Sequence, residues 1–425
     1  MKRIIIAIAF LTTCIAYNYA QVAPTASDYK SYKEKLDKNN KTIEDPKKKD
    51  LPKTWIERAK LFQDIADMNV QYVRPDMQTT EIKLLFKEPK EIKKENGNEQ
   101  YVYDNVVLNI EGGKLKNWKE SNLIVPNALD SAYNSYLKAI ELDKEGKMDK
   151  KIGENLKVLK TMYRKVAVNA YSSQDIKGAF MGFKSEVSIN ELKQVNVKDT
   201  LIIYYTGITA FDIGLKDESL IYLNKAKNLN LNEPNIYVYL KNIYISKGDS
   251  ANALTTLKEG FTKYPENPAI LVELINYYLM SKESNAALEY LEKAKAKDPT
   301  NKSYLFAEGT LYDKINNSDK AIESYQKAIE IDPLYFDAYY NLAVVYYNMG
   351  LKKTEEANNE VDNSKYNAKK ILADEDFKKT IPFMAKAHEI NPKDRQTLET
   401  LKSLYYRLKM KDDLDRVTNE LKNLQ

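Results

Sequence analysis

With 425 residues, 43% of them hydrophobic and 30% charged, and only 13 glycines and 13 prolines, the chain is neither disordered nor loop-rich, and it has length for two or three domains or for one repeat array. Its formal charge of +5 is the remainder of 66 basic and 61 acidic side chains, a mixture that argues against a nucleic-acid partner. One histidine and one cysteine exclude histidine–cysteine zinc sites and histidine-based triads.

Residues 1–20 read as a secretory signal: Lys2 and Arg3, an apolar run over 4–16, and a cleavage site after Ala20. The run is shorter than the about 20 apolar residues that span a bilayer, and no later segment qualifies as transmembrane. Leu11-Thr12-Thr13-Cys14 has the outline of a lipoprotein box, but Thr13 stands where that box has Gly, Ala or Ser. The signal is therefore read as cleaved rather than as a lipid anchor at Cys14, which predicts an exported, cysteine-free protein in the periplasm or associated with the outer membrane. Residues 21–50, with the run Lys47-Lys48-Lys49, read as a solvated linker.

Residues 51–199 show helical spacing in pieces. Trp55, Ala59 and Phe62 mark one helix, Ala132, Tyr136 and Ala139 a partner, and Tyr163, Val166, Ala170, Ala179 and Phe183 a further pair. Between the first two lies an insertion of about 69–125. Residues 101–110 are rich in Val and Tyr and Gly112-Gly113 is a turn signal, which predicts a small β-hairpin or meander with 82–86 as a pairing strand.

From residue 200 the pattern becomes periodic. Pro265, Pro299 and Pro333 are 34 residues apart (299 − 265 = 333 − 299 = 34). The unit ending after Pro333 carries Leu305, Gly309, Tyr312, Ala321, Tyr325 and Ala328; the one before it has Leu271, Leu274, Tyr278, Ala287, Leu291 and Ala294. Earlier units place Tyr237, Leu240, Tyr244, Ala253, Leu257 and Gly260, then Ile203, Gly207, Ala210, Leu223 and Ala226, in the same frame. Ile275 and Lys241 occupy positions where a small residue is usual, and Leu231 replaces the closing proline. A fifth unit opens with Tyr339, Leu342, Ala343 and Tyr346 but closes late at Ala387 and Pro392, so a helical insertion of about 351–376 is expected to extend both its helices as an arm touching few neighbours. Pro382 should kink the second of them. The regular array then covers 200–392, and 393–425 reads as a capping helix pair through Leu398, Leu401, Leu404, Tyr405, Leu414, Val417 and Leu421.

In these positions the chain resembles the tetratricopeptide repeat (TPR) family over roughly residues 50–425, and with its signal and insertions it is similar to exported TPR proteins of Bacteroidota. The resemblance implies an all-α solenoid of TPR helical hairpins, a right-handed superhelix, with the β-containing insertion near its N-terminus. It also implies a concave groove lined by the second, fifth, ninth and twelfth residues of each first helix. Those that could bind a peptide are Tyr204, Ile208 and Phe211; Val238, Asn242 and Ile245; Val272, Asn276 and Leu279; Phe306 and Thr310; and Tyr340, Val344 and Tyr347. Asparagine amides can hold a peptide backbone whatever its sequence. Tyr204, Val238 and Val272 stand where carboxylate-clamping TPR domains carry a lysine, so that clamp is not expected.

The expected function is an interaction scaffold for a polypeptide partner. The alternative is capture of a glycan or small ligand by exposed rings among the 32 tyrosines. No enzyme, cofactor or metal is expected, and His388 reads as a structural residue near a helix end.

Overall fold

The computed structural model of the protein describes residues 24–424 except 87, 96 and 282. The signal of residues 1–20, with Cys14, lies outside the described residues. The chain divides between Asn232 and Glu233 into two units.

The first unit opens with a helix where a linker is expected. α1 (Ala26–Glu44) starts at a capping box: the Thr25 hydroxyl accepts from the Asp28 N–H, and the Asp28 carboxylate accepts from the Thr25 N–H at 2.7 Å. None of its residues is fully buried; Tyr32 and Leu36 alone lean on the core, a thin apolar stripe in a run of charged and polar residues. Lys47, Lys48 and Lys49 form the turn that follows.

α2 (Pro52–Asp67) pairs with α4 (Ala128–Leu142), burying Ile56, Ala59 and Phe62 against Ala132, Tyr136 and Ala139. α5 (Asp149–Ser172) pairs with α6 (Ile176–Glu191), and α7 (Thr200–Asp212) with α8 (Lys216–Asn228). Close approach within these pairs needs small residues: a Cβ on Gly207 would stand 2.8 Å from Leu223. Although the 34-residue frame sets a boundary at 200, α7 belongs to the first unit. It packs on α6, with the Phe183 and Tyr205 rings 5.8 Å apart.

The insertion between α2 and α4 holds α3 (Thr79–Leu85) and a four-stranded antiparallel meander, β1 (Glu91–Glu95), β2 (Asn98–Val102), β3 (Val106–Glu111) and β4 (Lys114–Glu120). Gly112 and Gly113, with φ of 59° and 77°, turn β3 into β4, a two-residue connection that matches strand twist. Residues 82–86 do not form a strand. The Gln78–Glu81 capping box starts a helix there, and Ile82 is the one residue of that helix buried in the sheet's apolar core.

The sheet docks on α5 through Asn169, whose Oδ1 accepts from the Trp118 N–H at 2.8 Å while its Nδ2 donates to the Trp118 carbonyl at 2.9 Å. Lys165 adds bonds to Asp67 at 3.1 Å and to the Val70 carbonyl. Beside it Glu120 accepts from Asn69 at 3.2 Å, and burial pushes its carboxyl up to about 6.

The second unit is a run of hairpins: α9 (Asn235–Ser246) with α10 (Ser250–Lys263), α11 (Pro268–Met280) with α12 (Ser284–Lys295), and α13 (Lys302–Lys314) with α14 (Ser318–Ile331). The 34-residue signature is visible as packing. Gly260 faces the Tyr237 ring and Gly309 the Tyr325 ring, where an added Cβ would lie 2.7 Å away. Asp249, Asn267, Asn301 and Asn317 cap the helices that follow their turns.

α15 (Phe336–Asn358) and α16 (Asn363–Ile390) form the elongated fifth hairpin, and α17 (Arg395–Arg407) with α18 (Lys411–Asn423) closes the chain. α16 runs without interruption through Pro382, whose ring is exposed. The arm departs from expectation at its base, where Ala357, Ala373 and Phe377 are buried and Leu404 of α17 packs on the last two.

Candidate functional site

The second unit offers a face built from first helices that repeat every 34 residues. α9 and α11 lie side by side, so equal repeat positions on them become neighbours. Lys241 of α9 donates to Glu273 of α11 at 2.6 Å with both side chains largely buried, which pins the two helices in register. This explains the lysine at a position where the pattern wants a small residue.

Asn242 on α9 is half-buried and Asn276 on α11 exposed, and neither side-chain amide has a hydrogen-bond partner among the described residues. Beside them Ile245 is 45% and Val272 52% exposed. Val238 and Leu279 are half-buried, their inner surfaces resting on the core of Tyr237, Leu274 and Tyr278. The arrangement is an apolar strip with two free amides, each able to donate and to accept.

Elsewhere the sequence-derived groove serves packing. Phe306 lies 5.6 Å from the Tyr325 ring and 5.4 Å from Tyr335, and the Thr310 hydroxyl donates to the Phe306 carbonyl at 3.0 Å. Tyr340 and Val344 lean on the cluster of Met384, Leu398 and Leu401, and Tyr347 stands edge-on to Phe377 at 5.4 Å. In α7 the assignment fails. Tyr204 and Ile208 are 3% and 1% exposed, because residues 202–210 are buried without a break and leave the helix no water-facing stripe there. Phe211, at its end, is half-buried.

Two polar residues tie helices together: Glu308, which the sequence reading missed, and His388, which it took as structural. Glu308, buried, accepts from Lys295 at 2.6 Å and from the Ser324 hydroxyl at 3.0 Å, tying three helices together. His388 bonds Glu420 through Nε2 at 2.8 Å and so links α16 to α18. Among the described residues no three His, Cys, Asp or Glu side chains are placed to hold a metal ion, and no helix is long and apolar enough to cross a membrane.

Residues 244–307 match the tetratricopeptide repeat family and residues 309–350 match its TPR repeat grouping. No curated protein matches the chain. Similar solved structures include a TPR repeats protein from Bacteroides fragilis, with 21% identity over 58% of this chain and 98% of that one and a TM-score of 0.31. MamA, at 22% identity, covers 43% of this chain and 93% of its own with a TM-score of 0.32. YrrB, described as a TPR protein with an unusual peptide-binding site, is 16% identical over 48% of this chain and 95% of its own, with a TM-score of 0.31. Similarity at this level bears on neither ligand nor partner.

Proposed function

Because residues 244–307 and 309–350 are tetratricopeptide repeats, we propose that this protein is an exported scaffold that grips an extended polypeptide along α9 and α11. The observation that carries the reading is the pair of unpartnered amides, Asn242 and Asn276, at one repeat position between exposed Ile245 and Val272. The chain itself illustrates the chemistry: Asn169 holds the N–H and the carbonyl of Trp118 in an extended strand with a single amide. A backbone presented to Asn242 and Asn276 can be held in the same way without regard to its sequence, the apolar strip then selecting side chains.

A peptide selected by display on the wild-type chain should bind Asn242→Ala or Asn276→Ala about tenfold more weakly, the size of one lost hydrogen bond. The melting transition should not move, whereas Tyr278→Ala, in the core, should lower stability by about 3–5 kcal/mol. Equal binding by both asparagine variants, or unfolding of both, would refute the groove.

Export is the other half of the proposal, supported by the basic, apolar and small-residue order of positions 1–20. The mature protein should begin at Gln21 on N-terminal sequencing; a lipidated Cys14 at the new terminus overturns that cleavage.

A further inference from the structure

A second ligand-sized feature lies in the first unit. A cavity of about 450 Å³ opens between α1, α2 and the segment that follows it, the end of α3, and α5, within the range of roughly 300–1,000 Å³ typical of small-molecule sites. At its floor Gln63 is 7% exposed. The Tyr136 hydroxyl donates to Gln63 Oε1 and so fixes which end of the amide is satisfied. The nitrogen reaches only the Asn155 carbonyl at 3.5 Å and the Met162 sulfur at 3.8 Å, distances too long for a strong bond. A buried donor is thus held without a good acceptor.

At the rim, Asp64 is exposed and has no hydrogen-bond or ion-pair partner among the described residues. The other carboxylates are occupied: Asp67 pairs with Lys165 at 3.1 Å and Asp28 is taken up in the cap of α1. Partial burial raises the Asp64 carboxyl, with Lys35 and Lys60 pulling the other way. A molecule with several hydroxyls can accept from the amide with one and donate to the carboxylate with another. The exposed Val158 and the edge of the Tyr32 ring, over which the Lys35 ammonium lies at 4.8 Å, add apolar wall.

We propose that this cavity binds a neutral saccharide, with Gln63 Nε2 donating to one hydroxyl and Asp64 accepting from another. The site is separate from the α9–α11 face and does not depend on it.

Saturation-transfer NMR on the full chain, with glucose, galactose, N-acetylglucosamine and maltose as probes, tests the assignment, spermidine and tri-alanine serving as parallel arms. At least one saccharide should receive magnetisation, and its affinity should fall about tenfold in Asp64→Asn and in Val158→Arg, where the new side chain fills the cavity from an exposed position. Asn242→Ala should leave the signal unchanged. No transfer to any saccharide overturns the proposal, as does transfer that both cavity variants leave intact. Binding of spermidine or tri-alanine in place of the sugars overturns it too, making the cavity a cation or peptide site.

Discussion

Arg164→Leu should destabilise the first unit by about 3–5 kcal/mol, the usual consequence of stripping a buried charge of its partner. Glu186 of α6 is 0% exposed, and the Arg164 guanidinium of α5 donates to both its oxygens, Nε at 3.1 Å to each, while also reaching Asp199 at 2.6 Å. Asp199 in turn caps α7 by accepting from the Ile202 N–H at 3.2 Å, so one guanidinium joins three consecutive helices.

Burial already holds the Glu186 carboxyl above its ordinary value, against the pull of Arg164. With Arg164 gone, burial and the Asp199 charge are opposed only by Lys160, and the folded state binds a proton more tightly than the unfolded one. A raised folded pKa means stability that is present below the unfolded value near 4.5 and lost as pH rises through the folded value. Arg164→Leu should therefore melt higher at pH 5 than at pH 8 by calorimetry. Adding Glu186→Leu should recover most of the loss, since an apolar pair of similar volume needs no partner. A single variant as stable as wild type at pH 8 would show that water reaches Glu186.

Deleting residues 351–376 and joining the ends by a short turn should cost more than about 3 kcal/mol, the opposite of what a free arm would show. The base of α15 and α16 is clasped by α17: Arg407 donates to the Thr354 hydroxyl at 2.8 Å, bonds Asp374 at 3.4 Å and lies 4.1 Å over the Phe377 ring. Lys353 pairs at 2.5 Å with Asp376, which is buried, so the cut also removes a closed ion pair along with the buried methyls of Ala357 and Ala373. Trimming only the tip, where Val361 is fully in water, should leave chemical denaturation within about 0.5 kcal/mol of wild type. If the long deletion proved as silent as the short one, the clasp would contribute no stability.

The hairpins from α9 to α14 were legible because a repeat touches only its neighbours, so its constraints sit within about one period of sequence. Gly309 facing Tyr325 and Gly260 facing Tyr237 can be read as a small residue opposite a ring before any coordinates exist. The meander was legible from its Val and Tyr content and from Gly112-Gly113, since turn chemistry is local. By contrast α1 buries no residue fully: only Tyr32 and Leu36 rest on the core from an otherwise polar helix, a stripe too thin to stand out beside its cap.

What only the tertiary structure decided is which faces other elements cover. The 34-residue frame puts Tyr204 and Ile208 on the same helical positions as Val238 and Asn242, yet the first pair is buried and the second only half so. A helix position defines a direction, not the surroundings it points into. Asn169 meets Trp118 across 51 residues of chain, and Arg407 meets Thr354 across 53. Neither contact recurs with the repeat, because each is made by an insertion or an extension that the period does not contain. Sequence thus determined the array through short-range packing, while the saccharide-sized cavity and the clasped arm arose from long-range closure that no local pattern encodes.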